Sequence, residues 1–156
     1  MSKKINIGII GAGKIVESIH LPVLLNIQEI NVEWIFDKDD NRSALLSSMY
    51  PVEKINADSL DEKIAATDLC LIAVPYGVRD SYIRTCAAMK KMVYVEKPFA
   101  TTTVQHEEYC KLFEPPDIAI GFQRRYYPFV EEIKQIISEG AHGKIRSIHF
   151  NQGYFN

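Results

Sequence analysis

No stretch of this chain is long and apolar enough to cross a membrane, and no segment is of low complexity or repeated. Charge of either sign is not in excess. The formal net charge is −2, which gives no electrostatic reason to expect nucleic acid or an anionic membrane as the main partner. Cysteine is scarce. Cys70, Cys86 and Cys110 are odd in number, widely spaced and form no CxxC, so neither a disulfide framework nor a cysteine metal site is expected. Free thiols suit a reducing, cytoplasmic setting. Histidine is equally sparse. His106 and Cys110 share a helix face, but two ligands do not make a zinc site, and no bound metal is expected. The N-terminal MSKKINIGIIGAG has two lysines and a short apolar run like a signal peptide. Glycines interrupt it, and no small-residue cleavage site follows, so it reads as a first strand.

What is present is a globular core. Hydrophobic residues make up 47% and charged residues 24% of 156 residues, enough for one domain or one domain plus part of another. Short apolar runs alternate with helical patterns. Strands are expected at 5–10, 32–36, 52–55 (weakly), 68–74, 92–95, 117–122 and 144–150. Helices are expected at 14–29, with Pro22 kinking or ending it, and at 39–50, near 58–66, 79–90, 102–113 and 127–139. Asp58 or Ser59 is the expected cap of the third of these, and Thr102 or Thr103 of the fifth. Strands that are apolar throughout are buried on both faces, and helices between them imply parallel pairing. The expected fold is α/β, a doubly wound parallel sheet. The run 144–150 alternates instead, as a half-exposed strand would. It suggests the first strand of an incomplete second domain, so the chain divides into 1–122, a dinucleotide-binding domain, and 123–156, a connecting helix and that strand.

Ligands of such a sheet bind outside the carboxyl ends of its strands. The first strand ends in Gly11-Ala12-Gly13-Lys14-Ile15-Val16, a GxGxxG pattern with Val in the last place. Gly11 suits a tight turn, and Gly13 lets a pyrophosphate approach a helix N-terminus, with Lys14 and Ile15 beside it. The third glycine serves packing, so Val16 changes packing more than chemistry. The second strand closes on Asp37, placed to accept hydrogen bonds from the hydroxyls of an adenine ribose, or alternatively to cap the next helix. A carboxylate there favours NAD. Lys38 and Arg42 close by keep NADP open. The fourth strand ends in Val74-Pro75-Tyr76, a shelf for the nicotinamide end or a plain turn. The fifth ends in Glu96-Lys97-Pro98. The sixth runs into Arg124-Arg125-Tyr126, which would line a polar pocket for substrate or form a solvated basic patch.

The segments GAGKIVESIHLPVL, AVPYG, YVEKPFA and GFQRRYYP, in this order, resemble the Gfo/Idh/MocA family of NAD(P)-dependent oxidoreductases over nearly the whole chain, from about residue 4 to 156. The resemblance implies a Rossmann domain. It implies that Lys97 is the active-site lysine, a hydrogen-bond donor and acid/base group for the substrate hydroxyl or carbonyl, on a Lys-Pro peptide that is commonly cis. Glu96 would line the cofactor site. Partial burial of Lys97 would make it a readier proton donor, and a neighbouring Glu96 would oppose that. Two departures stand out: Tyr76 occupies a position often small or Asn, and Arg79 one often His. The family's second domain supplies an open sheet, a substrate face, the usual oligomer interface, and an Asp/Asn and a His that complete catalysis. None of these is recognisable here.

Three functions follow as expectations. The first is the cofactor-binding portion of an oxidoreductase moving hydride between NAD (NADP possible) and a hydroxyl carbon of a sugar, cyclitol or related polyol. A full-length parent would be homo-oligomeric, and this chain alone inactive. The second is a non-catalytic dinucleotide-binding or sensing module. The third, a methyltransferase-like protein, fits less well because the Lys-Pro turn has no place in it. The alternating strand at 144–150 is expected to be disordered or paired with a neighbouring chain.

Overall fold

The first strand, β1 (Ile5–Ile10), is β-branched at four of its six positions and sits centrally, flanked on both sides by parallel neighbours. The structure is a computed structural model, and it describes residues 3–140 and 143–149. Two compact units make up the chain, Met1–Gly121 and Phe122–Asn156.

The first unit holds β1, β2 (Ile30–Phe36), β3 (Glu53–Lys54), β4 (Leu69–Ile72), β5 (Met92–Val95) and β6 (Ile118–Ile120). Their order across the sheet is β3-β2-β1-β4-β5-β6, and every pairing is parallel. This is the doubly wound arrangement, with its switch point between β1 and β4. The helices are α1 (Leu21–Leu24), α2 (Asp40–Met49), α3 (Leu60–Ala66), α4 (Asp80–Ala88) and α5 (Thr103–Cys110). Strand residues alternate between two cores, one on each face. Ile10, Trp34, Ile72 and Val95 pack on one side, with Ile83 of α4 and Tyr109 of α5. Ile9, Ile35 and Leu71 pack on the other, with Val16, Leu21 and Leu46. Each fully buried aliphatic side chain contributes about 1.5–3 kcal/mol by leaving water.

The helix expected over 14–29 stops at Leu24. Before Pro22 the chain takes a π-helical turn, Val16–His20, in which the Leu21 N–H reaches back to the Val16 carbonyl. Pro22 has no N–H to continue an α-helical ladder, and a wider turn ahead of it absorbs the mismatch. Thr102 caps α5, accepting from the Gln105 N–H at 3.2 Å. Neither Asp58 nor Ser59 caps α3 in the expected way: the Ser59 hydroxyl donates instead to the Asn56 carbonyl and side chain. β4 is shorter than its apolar run, because Ala73 and Val74 continue past the last residue paired with β1 and β5.

In the second unit, a 3₁₀ turn (Gln123–Tyr126) leads into α6 (Pro128–Glu139), with Pro at its start and Gly140 in the left-handed region at its end. Phe129, Ile133, Ile136 and Ile137 are exposed. No strand forms over residues 144–149, and Phe150 lies outside the described residues. A strand is held by its ladder, and none of the described residues pairs with this run; Ile145 and Ile148 are exposed. Among the described residues, no helix is long and apolar enough to cross a membrane.

Candidate functional site

The carboxyl ends of β1 and β2 form one half of the site. Gly11 has φ +109°, and a Cβ there would sit 2.7 Å from the Ala73 carbonyl oxygen, so the turn tolerates only glycine. Its N–H donates to the Phe36 carbonyl at 2.7 Å. A Cβ on Gly13 would meet no atom within 4 Å. The space above Gly13 is therefore open, at the start of a helix whose first N–H groups have no acceptor within the helix. The Gly13 carbonyl accepts from Val16 and Glu17 at 3.0 and 3.1 Å and so begins that helix. Val16, in the third-glycine position, is fully buried and packs in the core. Lys14 and Ile15 are exposed, with Lys14 3.3 Å from Glu17.

Asp37 does not cap α2; Asp39 does, accepting from the Asn41 N–H at 3.1 Å. Asp37 instead gathers backbone N–H groups, Ala12 at 2.6 Å on Oδ2 and Asp39 at 2.9 Å on Oδ1. Beside it opens a cleft of about 470 Å³, lined among others by Lys38, Asp40, Asn56, Asp58 and Tyr82. Burial, then the charge of Asp37, raise the Tyr82 phenol above its ordinary pKa. Of the nearby cations, Arg42 lies 3.4 Å from Asp39 and Lys54 3.1 Å from Asp40. Open space at Gly13, a glycine-only turn and a carboxylate beside a cleft fit the pyrophosphate and ribose of a dinucleotide.

The ends of β4 and β5 form the other half. Val74 is half-buried, and Pro75 and Tyr76 are exposed at the start of a short 3₁₀ turn. Arg79, just before α4, is 3% exposed. Its Nη1 donates to the carbonyls of Glu96 and Pro98, and its Nη2 to the Val74 carbonyl at 2.6 Å. Burial lowers its pKa, against the attraction of Glu96 and Tyr109; the guanidinium remains a cation. The Glu96 carboxylate is buried. Oε1 accepts from His20 Nε2 at 2.9 Å and Oε2 from the Lys97 N–H at 3.1 Å. Tyr94 stands edge-on to His20, its phenol raised by burial and then by Glu96. The Lys97–Pro98 peptide is cis.

Lys97 departs from expectation. Its side chain is exposed rather than partly buried, with no hydrogen-bond or ion-pair partner among the described residues. The chain turns outward at the Lys-Pro step, and burial falls on Glu96 and Phe99 to either side. Gly11, Gly13 and Asp37 thus gather at one half of the sheet edge, and Val74, Pro75, Tyr76, Glu96 and Lys97 at the other. Arg124, Arg125 and Tyr126 belong to the second unit, exposed on its 3₁₀ turn, with the Arg125 guanidinium 5.8 Å from the Phe122 ring centre. Sequence reasoning gave no role to His20 and treated Arg79 only as a departure. Arg79 binds main-chain carbonyls, which leave no mark in a sequence. No cluster able to hold a metal occurs among the described residues.

A family described as oxidoreductases with an NAD-binding Rossmann fold matches residues 5–117. Among curated proteins, an inositol 2-dehydrogenase of Saccharopolyspora erythraea is 27% identical over 162 residues, covering 96% of this chain and 46% of that protein. A dehydrogenase structure from Clostridium difficile superposes with a TM-score of 0.75 at 25% identity, over 85% of this chain and 44% of that one. A 3-ketoreductase variant from Actinomadura kijaniata, solved with TDP-benzene and NADP, gives 0.77 at 21%, over 92% and 45%. The chain spans less than half the length of these relatives.

Proposed function

Because this chain belongs to the Gfo/Idh/MocA oxidoreductase family, whose Rossmann domain binds NAD, we propose that it is the cofactor-binding portion of an enzyme that transfers hydride between NAD(P) and a hydroxyl carbon of a sugar, cyclitol or related polyol. The observation that carries this reading is the meeting of Gly11, Asp37 and Lys97 at one carboxyl edge, astride the β1/β4 switch point. The relative named an inositol 2-dehydrogenase supports the substrate class.

Gly11, Gly13 and the helix start beyond them would receive the pyrophosphate, and Asp37 the adenine ribose. NAD is favoured over NADP. Three carboxylates, Asp37, Asp40 and Asp58, line the cleft against one lysine, Lys38, and Arg42 and Lys54 are already paired with acids, so a 2′-phosphate would meet more negative charge than positive. Bound NAD supplies the carbon that accepts the hydride. Val74, Pro75 and Tyr76 would form the shelf beneath that end, with Glu96 at its side. Lys97 would act as the acid/base group, taking the hydroxyl proton during oxidation and returning it to the carbonyl oxygen in the reverse direction. The free thiols suit a cytoplasmic enzyme.

Titration with NADH and NADPH, followed by nicotinamide fluorescence, tests this. We expect saturable NADH binding, about tenfold tighter than NADPH, with Lys97→Met leaving affinity unchanged. Polyol-dependent reduction of NAD is expected only from a form extended to the relatives' length, and Lys97→Met should abolish it. Binding without turnover in that extended form would favour a non-catalytic dinucleotide-binding module. NADPH binding as tight as NADH would overturn the cofactor preference, and binding of neither would overturn the site itself.

A further inference from the structure

We infer that Arg79 is a positioning residue for this site: its buried guanidinium fastens the end of β4 to the end of β5 and thereby sets the Val74–Tyr76 shelf against Lys97. The inference rests on the reading of that edge as the nicotinamide end. The two segments are neighbours in the sheet only up to Ile72 and Val95, the last paired residues of β4 and β5. Beyond them a single backbone bond, Glu96 N–H to the Ile72 carbonyl at 2.9 Å, continues the ladder. The residues proposed for the nicotinamide end, Val74, Pro75, Tyr76, Glu96 and Lys97, all lie past that point, where strand pairing no longer fixes their spacing.

Arg79 takes over there. Its fork reaches three main-chain carbonyls, Val74 on one side and Glu96 and Pro98 on the other. These carbonyls bracket Lys97 and open the shelf. A guanidinium presents its donors in a rigid plane over a width that an ammonium does not match. The arginine is itself held from both directions. Its carbonyl accepts from Ile83 in the first turn of α4 at 3.0 Å. Next to it, Asp80 accepts from the buried Tyr109 hydroxyl at 2.9 Å, tying the start of α4 to α5. Glu96, whose main chain Arg79 holds, is fixed by its side chain to His20 at 2.9 Å, on the helical stretch that follows Gly13. The position of the Lys97 backbone is thus determined by contacts from both halves of the site. Arg79 touches neither proposed ligand in this arrangement and acts only through the segments it joins.

The test compares wild type with Arg79→Lys and Arg79→Gln by three measurements: NADH affinity, thermal midpoint, and amide hydrogen exchange at Val78, Glu96 and Lys97 against Ile9 and Val93. Arg79→Lys keeps the charge and is the variant that should fold. It is expected to lower NADH affinity about tenfold, with exchange accelerated at Val78, Glu96 and Lys97 only and the midpoint moved by a few degrees. Millimolar methylguanidine should restore part of the affinity of Arg79→Gln and leave Arg79→Lys unchanged. Unaltered exchange at the three amides overturns the clamp, whatever happens to affinity. So does exchange rising equally at Ile9 and Val93, which would mark Arg79 as a general core residue. Should wild type fail to bind NADH, the cofactor reading falls, while the exchange pattern still decides whether Arg79 sets these two segments together.

Discussion

The two halves of the sheet edge are held by opposite means. Beside β1 and β2, one carboxylate, Asp37, collects main-chain N–H groups from Ala12 and Asp39. Beside β4 and β5, one guanidinium, Arg79, collects main-chain carbonyls from Val74, Glu96 and Pro98. Asp37 is half-buried and leaves lone pairs for a ligand, whereas Arg79 is buried and turned inward. The first anchor belongs to the binding surface, and the second lies beneath it. Stability and recognition therefore coincide at Asp37 and separate at Arg79.

The sharpest way to break this comparison is to delete each anchor. Arg79→Met leaves three carbonyls without their donor, at about 1–3 kcal/mol for each, and should cost roughly 3 kcal/mol or more in denaturant unfolding. Asp37→Ala should cost less, about 1–3 kcal/mol, because only the Ala12 N–H is left buried without an acceptor while Asp39 is exposed, yet it should weaken NADH more. Equal losses of stability would show that the halves do not differ in this way. Next in size is a pair of glycines two residues apart. Gly11→Ala forces a side chain into φ +109° against the Ala73 carbonyl and should cost about 1–3 kcal/mol. Gly13→Ala meets no atom and should leave stability within about 0.5 kcal/mol, while NADH affinity falls because the backbone can no longer be approached. The smallest effect is a pH dependence beneath the Arg79 half. Burial, and then the bond to Asp80, push the Tyr109 phenol up to about 12 from its ordinary 10. Both favour the neutral form in the folded state. Their contribution is complete below pH 10 and is lost as pH rises towards 12. Unfolding midpoints across that window should fall more steeply in wild type than in Tyr109→Phe.

How much of this could be read from the residues differs between the halves. Gly11, Gly13 and Asp37 announce themselves, because a turn needing positive φ and an acid at a strand end are local features. The parallel order follows from apolar runs separated by helical ones. Arg79 is illegible as an anchor because its partners are carbonyls 5, 17 and 19 residues away, contributed by backbone rather than side chains. The His20–Glu96 pair, 76 residues apart, exists only because the sheet brings the two segments together. The apolar run predicts a β4 longer than the observed Leu69–Ile72 for a related reason. Apolar character continues through Ala73 and Val74, but a ladder ends where its neighbours end. The alternation at 144–149 satisfies the strand pattern without forming a strand, since pattern selects a face and pairing must still come from elsewhere.

One property of the Arg79 clamp concerns how freely the site can change. Every one of its acceptors is a main-chain oxygen, an atom that any amino acid provides. The clamp itself therefore places no demand on the side chains of the Val74–Tyr76 shelf, whereas Glu96 also holds His20 through its carboxylate, Asp39 also caps α2, and Ala12 is buried in the core. A library varying the shelf would begin from a frame that does not depend on which residues it displays. New specificities could then be sampled one position at a time, without a compensating second mutation in the frame.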